Sequence, residues 1–473
     1  DIYSHRTDVA PRWGDETDIF ETAGDWRIYE NTRQLIENDT DPPEVVINHG
    51  HKVGLEVFLS MRVNDVHDGK LPGDLPKHLS PVKKKHPDWL LGQASKKTIE
   101  HDQIYGPLKG LTRFAYDFSN PEVRNYKLNL TKETIENYDL DGLDWDFCRF
   151  PRLFPEGDTV QYAEILTDML REIKKSLDEK SRRIGRKLLF SVRVPPTFSL
   201  AGAFGMDVKT WIDEELIDIL IAGVVEGSMF RVPIEDYVSA TRDTNIKAIA
   251  QNLGLFWTGR PLSAKVIYEE PTVFTNEMCR ASASNYWQAG ADGIYLWNNQ
   301  LIQFNFSAKY DGQPWREIWD PQIMAKLDKH YLIDNKPLWE IYTLEMGSSP
   351  IPRPPLPIDL KVAGDTADIN IDIADNVPAS NSDGSLLEAT LRIMIINLTD
   401  LDKLDFKLNG NVLDITAAQI RILYNDCWIE FDVSNMEVHQ GCNRIEISVK
   451  QRNTHVDAAL TIESVEAIIR YVN

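Results

Sequence analysis

Two periodicities alternate along the first two thirds of the chain. Apolar residues recur with the helical period over Trp26 to Glu37, Pro43 to His51, Tyr162 to Leu177, Val208 to Glu215, Ile234 to Arg242 and Asn276 to Ala289. A further helix start is marked by Ser119-Asn-Pro121, with proline at the first helical position. Between them lie short β-branched and apolar runs that predict strands: Gly54 to Arg62, a weaker Phe114 to Phe118, Leu140 to Phe147, Leu188 to Val194, Ile217 to Val225, Ile246 to Gln251 and Gly293 to Trp297. Strand followed by helix, at about 30 to 40 residues per unit, predicts parallel strands joined by crossover helices. The expected fold is a (β/α)₈ barrel, which uses about 250 residues. The strands number seven rather than eight. Either one has escaped the pattern, or the chain opens after the first, since Asp1-Ile-Tyr-Ser reads as a loop that follows a strand.

The pattern changes after Gly347-Ser-Ser-Pro-Ile-Pro-Arg-Pro-Pro-Leu-Pro357, where five prolines in eleven residues favour an extended connector. Beyond it, short alternating runs (Ala367 to Ile373, Leu391 to Ile396, Trp428 to Val433, Asn443 to Val449) and an Asn409-Gly410 turn predict a β-sandwich. The expected division is a barrel over 1–346, a linker over 347–357 and an all-β domain over 358–473.

Of 473 residues, 51 are basic and 73 acidic, a net charge of −22. That speaks against nucleic acid as a general partner, which demands a basic face. The longest apolar run, Ile219 to Val225, is far below the roughly 18 residues of a membrane span. Four cysteines without CxxC or HExxH spacing suggest neither a disulfide framework nor a metal centre, and no cofactor is expected. Cys427 and Cys442 can pair or stand as two free thiols.

The most informative segment is Asp139-Leu-Asp-Gly-Leu-Asp-Trp-Asp-Phe-Cys-Arg-Phe-Pro151. Strand alternation puts Leu143, Trp145 and Phe147 on one face, toward helices, and Asp144, Asp146 and Cys148 on the other, into the barrel. Ionised carboxylates are costly to bury without partners, so the pair is either a brace paired with arginines or a reactive group at the end of the barrel where active sites lie. Asp144 and Asp146 have Cα atoms about 7 Å apart on one strand and flank a sugar poorly. A second catalytic carboxylate is therefore expected from another strand: Glu226 first, Asp65 second. Like-charge proximity makes one of the pair a proton donor; Asp146 is the expected acid with Asp144 tuning it, and Asp146 as nucleophile is the alternative.

Asp141-Gly-Leu-Asp-Trp-Asp resembles the DGxDxDxE strand of the chitinase-like glycoside hydrolases of family eighteen. Asp141 to Pro151 also resembles the DGxxxDxxRFP strand of glycoside hydrolase-like (family ten type) barrels, and Phe58 to Asp68 a second block of that group. The resemblance covers roughly residues 1–330. It implies a secreted or periplasmic glycosidase acting on a carbohydrate substrate, with acidic groups on the fourth barrel strand. One departure stands out: the glutamic acid that serves chitinases as general acid falls on Cys148. The tail, through Leu404 to Gly410 and Val438 to Ile447, resembles the accessory jelly-roll domains of glycosidases.

Further candidates cluster at strand ends. Arg62, Arg149 and Arg193 either neutralise the aspartates or form a pocket for an acidic or sulfated sugar. Asn64 stands beside Asp65, and His67 can accept a proton or hydrogen-bond a sugar hydroxyl. Trp257 and Trp297, with Asn298 beside the latter, offer aromatic floors for sugar C–H faces. The loop from Gly69 to Gly110 is long enough for a lid, and its Lys83-Lys-Lys85 run reads as solvated surface. Competing with a glycosidase are a non-catalytic carbohydrate-binding barrel and an unrelated barrel lyase or phosphate-using aldolase; the lack of a glycine-rich phosphate loop speaks against the last.

Overall fold

The computed structural model describes residues 3–20, 22–66, 68, 79–92, 113–148, 150–155, 159–224, 230–253, 255–256, 272–273, 275–297, 313–333 and 355–472. The chain divides into two compact units. The first comprises Asp1–Val225, Asp236–Ala248 and Ile341–Ile351; the second comprises Glu226–Glu235, Ile249–Glu340 and Pro352–Asn473.

Parallel strands dominate the first unit. Strands β1 (Phe58–Arg62), β2 (Gly142–Asp146), β3 (Leu189–Val194) and β4 (Ile219–Ala222) are neighbours in that order. Their register is regular: Ser60, Asp144 and Ser191 lie abreast, as do Arg62, Asp146 and Arg193. Helices join them as the helical period predicts. Helix α1 (Ala23–Glu37) opens on a capping box between Thr22 and Asp25, and α2 (Pro42–Lys52) on the Asp41 side chain. Helix α3 (Pro121–Asn137) is capped by Asn120 with Pro121 at its first position. In α4 (Ala163–Ile184), Leu166, Met169, Leu170, Ile173 and Leu177 form one buried stripe, and Gly185 ends the helix at φ 72°. Gly142 has a packing reason: a Cβ there would meet the Phe58 ring at 2.2 Å and the Leu189 carbonyl at 2.7 Å.

Phe114 to Phe118 is not a parallel strand. Tyr116 makes a single antiparallel bridge to Leu90, with Leu91 N–H donating to Ala115 O and Asp117 N–H to Trp89 O. Its backbone pairs locally with residues 89–91, and Ala115, Tyr116 and Phe118 are buried, a pattern that a periodicity reading cannot tell from a sheet strand. Around it, the described part of the expected lid holds a short helix, Pro81–Lys85. Lys83 departs from expectation: it is buried, and its Nζ donates to Asp68 at 2.7 Å, while Lys84 and Lys85 are exposed.

In the second unit, β5 (Lys247–Leu253) pairs parallel with β6 (Gly293–Trp297) from Ile249 onward. The parallel strands thus number six among the described residues. The remainder is antiparallel, as the alternating tail predicts. Strands β7 (Lys329–Leu332), β8 (Ile358–Leu360), β9 (Thr366–Ile373), β10 (Leu386–Ile396), β11 (Lys403–Leu408), β12 (Asn411–Leu413), β13 (Gln419–Leu423), β14 (Asp426–Asp432), β15 (Gly441–Gln451) and β16 (Leu460–Tyr471) form two sheets. One runs β8-β16-β10-β14-β13 with β7 also on β16; the other runs β9-β15-β11-β12. Alternate residues of both, including Ile369, Ile371, Phe406, Ile445 and Ile447 from one and Ile393, Ile429, Phe431 and Val465 from the other, belong to one hydrophobic core. Each such side chain contributes about 1.5–3 kcal/mol when fully buried. Asn409 and Gly410 both take positive φ, 51° and 83°, the geometry of a tight hairpin turn. The four cysteines are free thiols, with Cys427 buried and Cys442 exposed.

Candidate active site

Strand β2 is buried along its whole length. Its apolar face is Leu143 and Trp145, continued by Phe147, whose ring lies 5.6 Å from that of Trp211 in a following helix. Asp144 and Asp146 therefore share the opposite face, as alternation requires, and each is only 4% exposed. The register then decides their surroundings. Asp144 sits between two serines: Ser60 Oγ donates to its Oδ2 at 2.6 Å and Ser191 Oγ to its Oδ1 at 2.8 Å. Asp146 faces the fully buried Arg193, whose Nε and Nη2 donate to its two oxygens at 2.9 and 2.6 Å. Arg193 Nη1 donates to Val224 O, and Cys148 N–H to Asp146 Oδ1.

The two acids consequently differ. Burial, then the neighbouring Asp146 charge, pushes the Asp144 carboxyl up to about 6, against the lowering pull of the serines and Arg193. Asp146 is held by a two-pronged guanidinium fork, the geometry that favours a carboxylate. The two acids therefore stand in unequal surroundings: Asp144 holds its proton more tightly than a free aspartate, and Asp146 is bonded at both oxygens by one guanidinium. Sequence reasoning names arginines as partners for the aspartates but cannot tell which acid each one reaches. At the place of the chitinase glutamic acid, Cys148 is buried and its thiol pKa is pushed far up by burial, with Sγ 3.5 Å from Gly223 O. It cannot replace a carboxylic acid. Asp141, which opens the motif, faces elsewhere. Its Oδ2 accepts from Val57 N–H and lies 2.8 Å from His51 Nε2, and Arg186 pairs with its other oxygen.

Other candidates fall into distinct settings. Arg62 is largely exposed and pairs with Asp65 at 2.8 Å. Asn64 is buried: its amide donates to Tyr116 O and Arg152 O, and its Oδ1 accepts from Tyr116 N–H, so it braces two loops. Trp297 is buried at the end of β6 in the second unit. Glu226, His67, Arg149, Trp257 and Asn298 lie outside the described residues, as does most of the linker. Ser60 and Ser191 were missed, although both share the phase of an arginine already singled out two residues later.

Beside β1 the first unit holds a cavity of about 380 Å³, lined among others by Tyr3, His5, Trp13, Ser60, Arg62 and Asp65. Its volume falls within the range of small-molecule sites, about 300–1,000 Å³. Among the described residues, no group of three or more His, Cys, Asp or Glu is placed to hold a metal ion, and no helix is long and apolar enough to cross a membrane.

No family model matches the chain, and no curated protein does. Among solved structures it is similar to a family GH18 chitinase from Chromobacterium violaceum, at 8% identity over 90% of this chain and 76% of that one, with a TM-score of 0.34. It is similar to an Anoxybacillus alpha-amylase at 10% identity over 87% and 79%, TM-score 0.33. It is also similar to the Bacillus megaterium spore cortex-lytic enzyme SleL at 16% identity over 56% and 70%, TM-score 0.30. At these TM-scores the likeness transfers neither fold nor activity, and a functional assignment stands on the chain's own geometry.

Proposed function

We propose that the protein is a glycoside hydrolase that cleaves O-glycosidic bonds in a poly- or oligosaccharide by carboxylate acid/base catalysis. In this reading the parallel strands belong to a (β/α)₈ barrel, the two antiparallel sheets form a β-sandwich accessory domain, and the protein acts outside the cytoplasm. The observation that carries it is the split environment of Asp144 and Asp146. Two carboxyls on one strand face, one with its pKa raised to about 6 and one bonded at both oxygens by a guanidinium, fit the unequal carboxyls that glycosidic cleavage uses. Asp144 supplies the proton to the leaving oxygen. Burial and the neighbouring Asp146 charge keep that proton in place against the pull of Arg193, and Glu226 is the proposed opposing carboxylate.

A second reading is a non-catalytic carbohydrate-binding barrel. It is favoured by the engagement of both Asp146 oxygens with Arg193 and by Cys148 at the acid position. Reducing-sugar release from a panel of neutral, amino, sulfated and uronic glycans separates the two. The wild type is expected to hydrolyse at least one glycan, and Asp144→Asn to lower kcat by about 10²–10⁴-fold with an unchanged circular dichroism spectrum. A fully active Asp144→Asn removes the catalytic assignment; binding without hydrolysis by the wild type establishes the second reading.

A further inference from the structure

We propose that the edge strand β13 is a self-association surface, through which two copies of the chain pair antiparallel about a two-fold axis at Ile420. The inference concerns the second unit alone and is independent of the glycosidase reading.

Side-chain phase comes first. One antiparallel sheet ends on β13 and the other on β12. In the β13–β14 register Ile420 lies opposite Ile429, and Ile422 opposite Cys427, both members of the hydrophobic core. Residues directly opposite share a face, so Ile420 and Ile422 continue the core face outward. They are nevertheless 50% and 65% exposed, and Leu423, Tyr424 and, on β12, Val412 are 73%, 82% and 70% exposed. Single exposed apolar residues are ordinary on any surface, but a contiguous run of them marks an interaction site.

The backbone comes second. Leu423 and Asp426 flank the two-residue turn Tyr424-Asn425. Antiparallel alternation then turns the backbone groups of Leu423 and Arg421 toward β14, and those of Ile420 and Ile422 toward the open edge. Sheet edges are commonly blunted by shortness or by charge. The far edges follow that rule: β8 has three residues, and β9 carries Asp368 and Asp372 in its outward phase. Strand β13 has five residues and one charge, Arg421.

Charge and register select a second copy as the occupant. The chain carries a net charge of −22, yet Ile415 to Asn425 contains no acid. Two copies can approach here without acid meeting acid. Pairing about Ile420 sets Ile420 against Ile420 and each Arg421 against Gln419, whose amide oxygen accepts from a guanidinium. Pairing about Arg421 would instead set like charges directly opposite, which is destabilising. At roughly 100–200 Å² exposed by each, the five apolar residues approach the about 800 Å² that one partner gives to a standard interface. A two-fold pairing uses the edge of both copies and closes at the dimer.

Sedimentation velocity of the full chain between about 1 and 100 µM should show monomer passing to dimer with no larger species. Ile420→Lys, which sets two ammonium groups on the axis, should raise the dimer dissociation constant at least ten-fold with an unchanged circular dichroism spectrum. Ile422→Lys serves as the second variant should the first misfold, with the same loss expected. Val362→Lys, at an exposed apolar position between β8 and β9, should dimerise as the wild type does. Register is read by mild oxidation in a Cys442→Ser background. Ile420→Cys should give a disulfide-linked dimer, its two Cα atoms lying about 5.5 Å apart. Ile422→Cys, with its copies about 13 Å apart along the strands, should not. A wild type that stays monomeric at 100 µM, a ladder of larger species, dimerisation unchanged in both lysine variants, or cross-linking at Ile422→Cys in place of Ile420→Cys overturns the proposal. A monomeric chain that captures an unrelated β-strand peptide at this edge overturns it too, by making the occupant a foreign strand.

Discussion

Replacing Asp144 by asparagine tests the protonation of the site without any substrate. The native carboxyl titrates at about 6, whereas an aspartate in the unfolded chain titrates near 3.9. Between these values the native state holds a proton that the unfolded state has lost, so stability falls as pH rises from about 4 to 6 and stays lower above. Two units correspond to about 3 kcal/mol, and because Asp144 is only 4% exposed, solvent screening does not erode the figure. Asparagine cannot titrate. Its altered bonding to Ser60 and Ser191 adds an offset, but one independent of pH. Urea unfolding of both proteins at pH 4, 5, 6, 7 and 8, followed by tryptophan fluorescence, should therefore show the variant gaining about 3 kcal/mol relative to wild type between pH 4 and 7. Titrations of groups that do not interact with Asp144 are common to both and cancel in the difference. A difference that stays flat within about 0.5 kcal/mol refutes the raised pKa. A difference of opposite slope would mean that Arg193 dominates and that Asp144 is ionised.

Arg193→Met leaves Asp146 buried without its partner and should destabilise by about 3–5 kcal/mol; Arg193→Lys should restore only part of this, since an ammonium cannot bond both oxygens in plane. A loss below about 1 kcal/mol in chemical denaturation would show that the pair is dispensable. Native labelling with a thiol reagent at pH 8 should modify Cys442 alone, because Cys148, Cys279 and Cys427 are buried and burial raises the Cys148 thiol. Four labels should follow on denaturation, and rapid modification of Cys148 in the native protein would contradict its sealed position.

Much of this architecture was legible because alternation is a strong signal when one face is buried. Leu140 to Phe147 and Leu188 to Val194 were read as strands from their own residues, and the inward phase of Asp144 and Asp146 followed at once. What a single sequence lacks is register. Only the alignment of Ser60, Asp144 and Ser191 across three strands, with Arg62, Asp146 and Arg193 two residues further on, shows which acid meets hydroxyls and which meets a guanidinium. The same gap explains Phe114 to Phe118, whose backbone pairs with residues 89–91 rather than with a parallel strand. It explains Lys83 too, a member of a lysine run made to differ from its neighbours by Asp68.

The segment Asp141 to Asp146 joins architectural and chemical requirements that a motif match cannot separate. Asp141 ties the start of β1 to α2 and Arg186; Gly142 is small because Phe58 and the Leu189 carbonyl leave no room. Leu143 and Trp145 pack, and both would be needed in any barrel, active or not. Only Asp144 and Asp146 exceed what architecture demands. A hydrophobic pair in their place is often neutral or stabilising by a few kcal/mol, so stability alone does not call for two buried acids on one strand face. Their unequal partners, hydroxyls for one and a guanidinium for the other, set them in different surroundings in adjacent layers. Difference, rather than mere acidity, is what proton transfer requires, and it is the property by which this strand can be judged as machinery instead of scaffold.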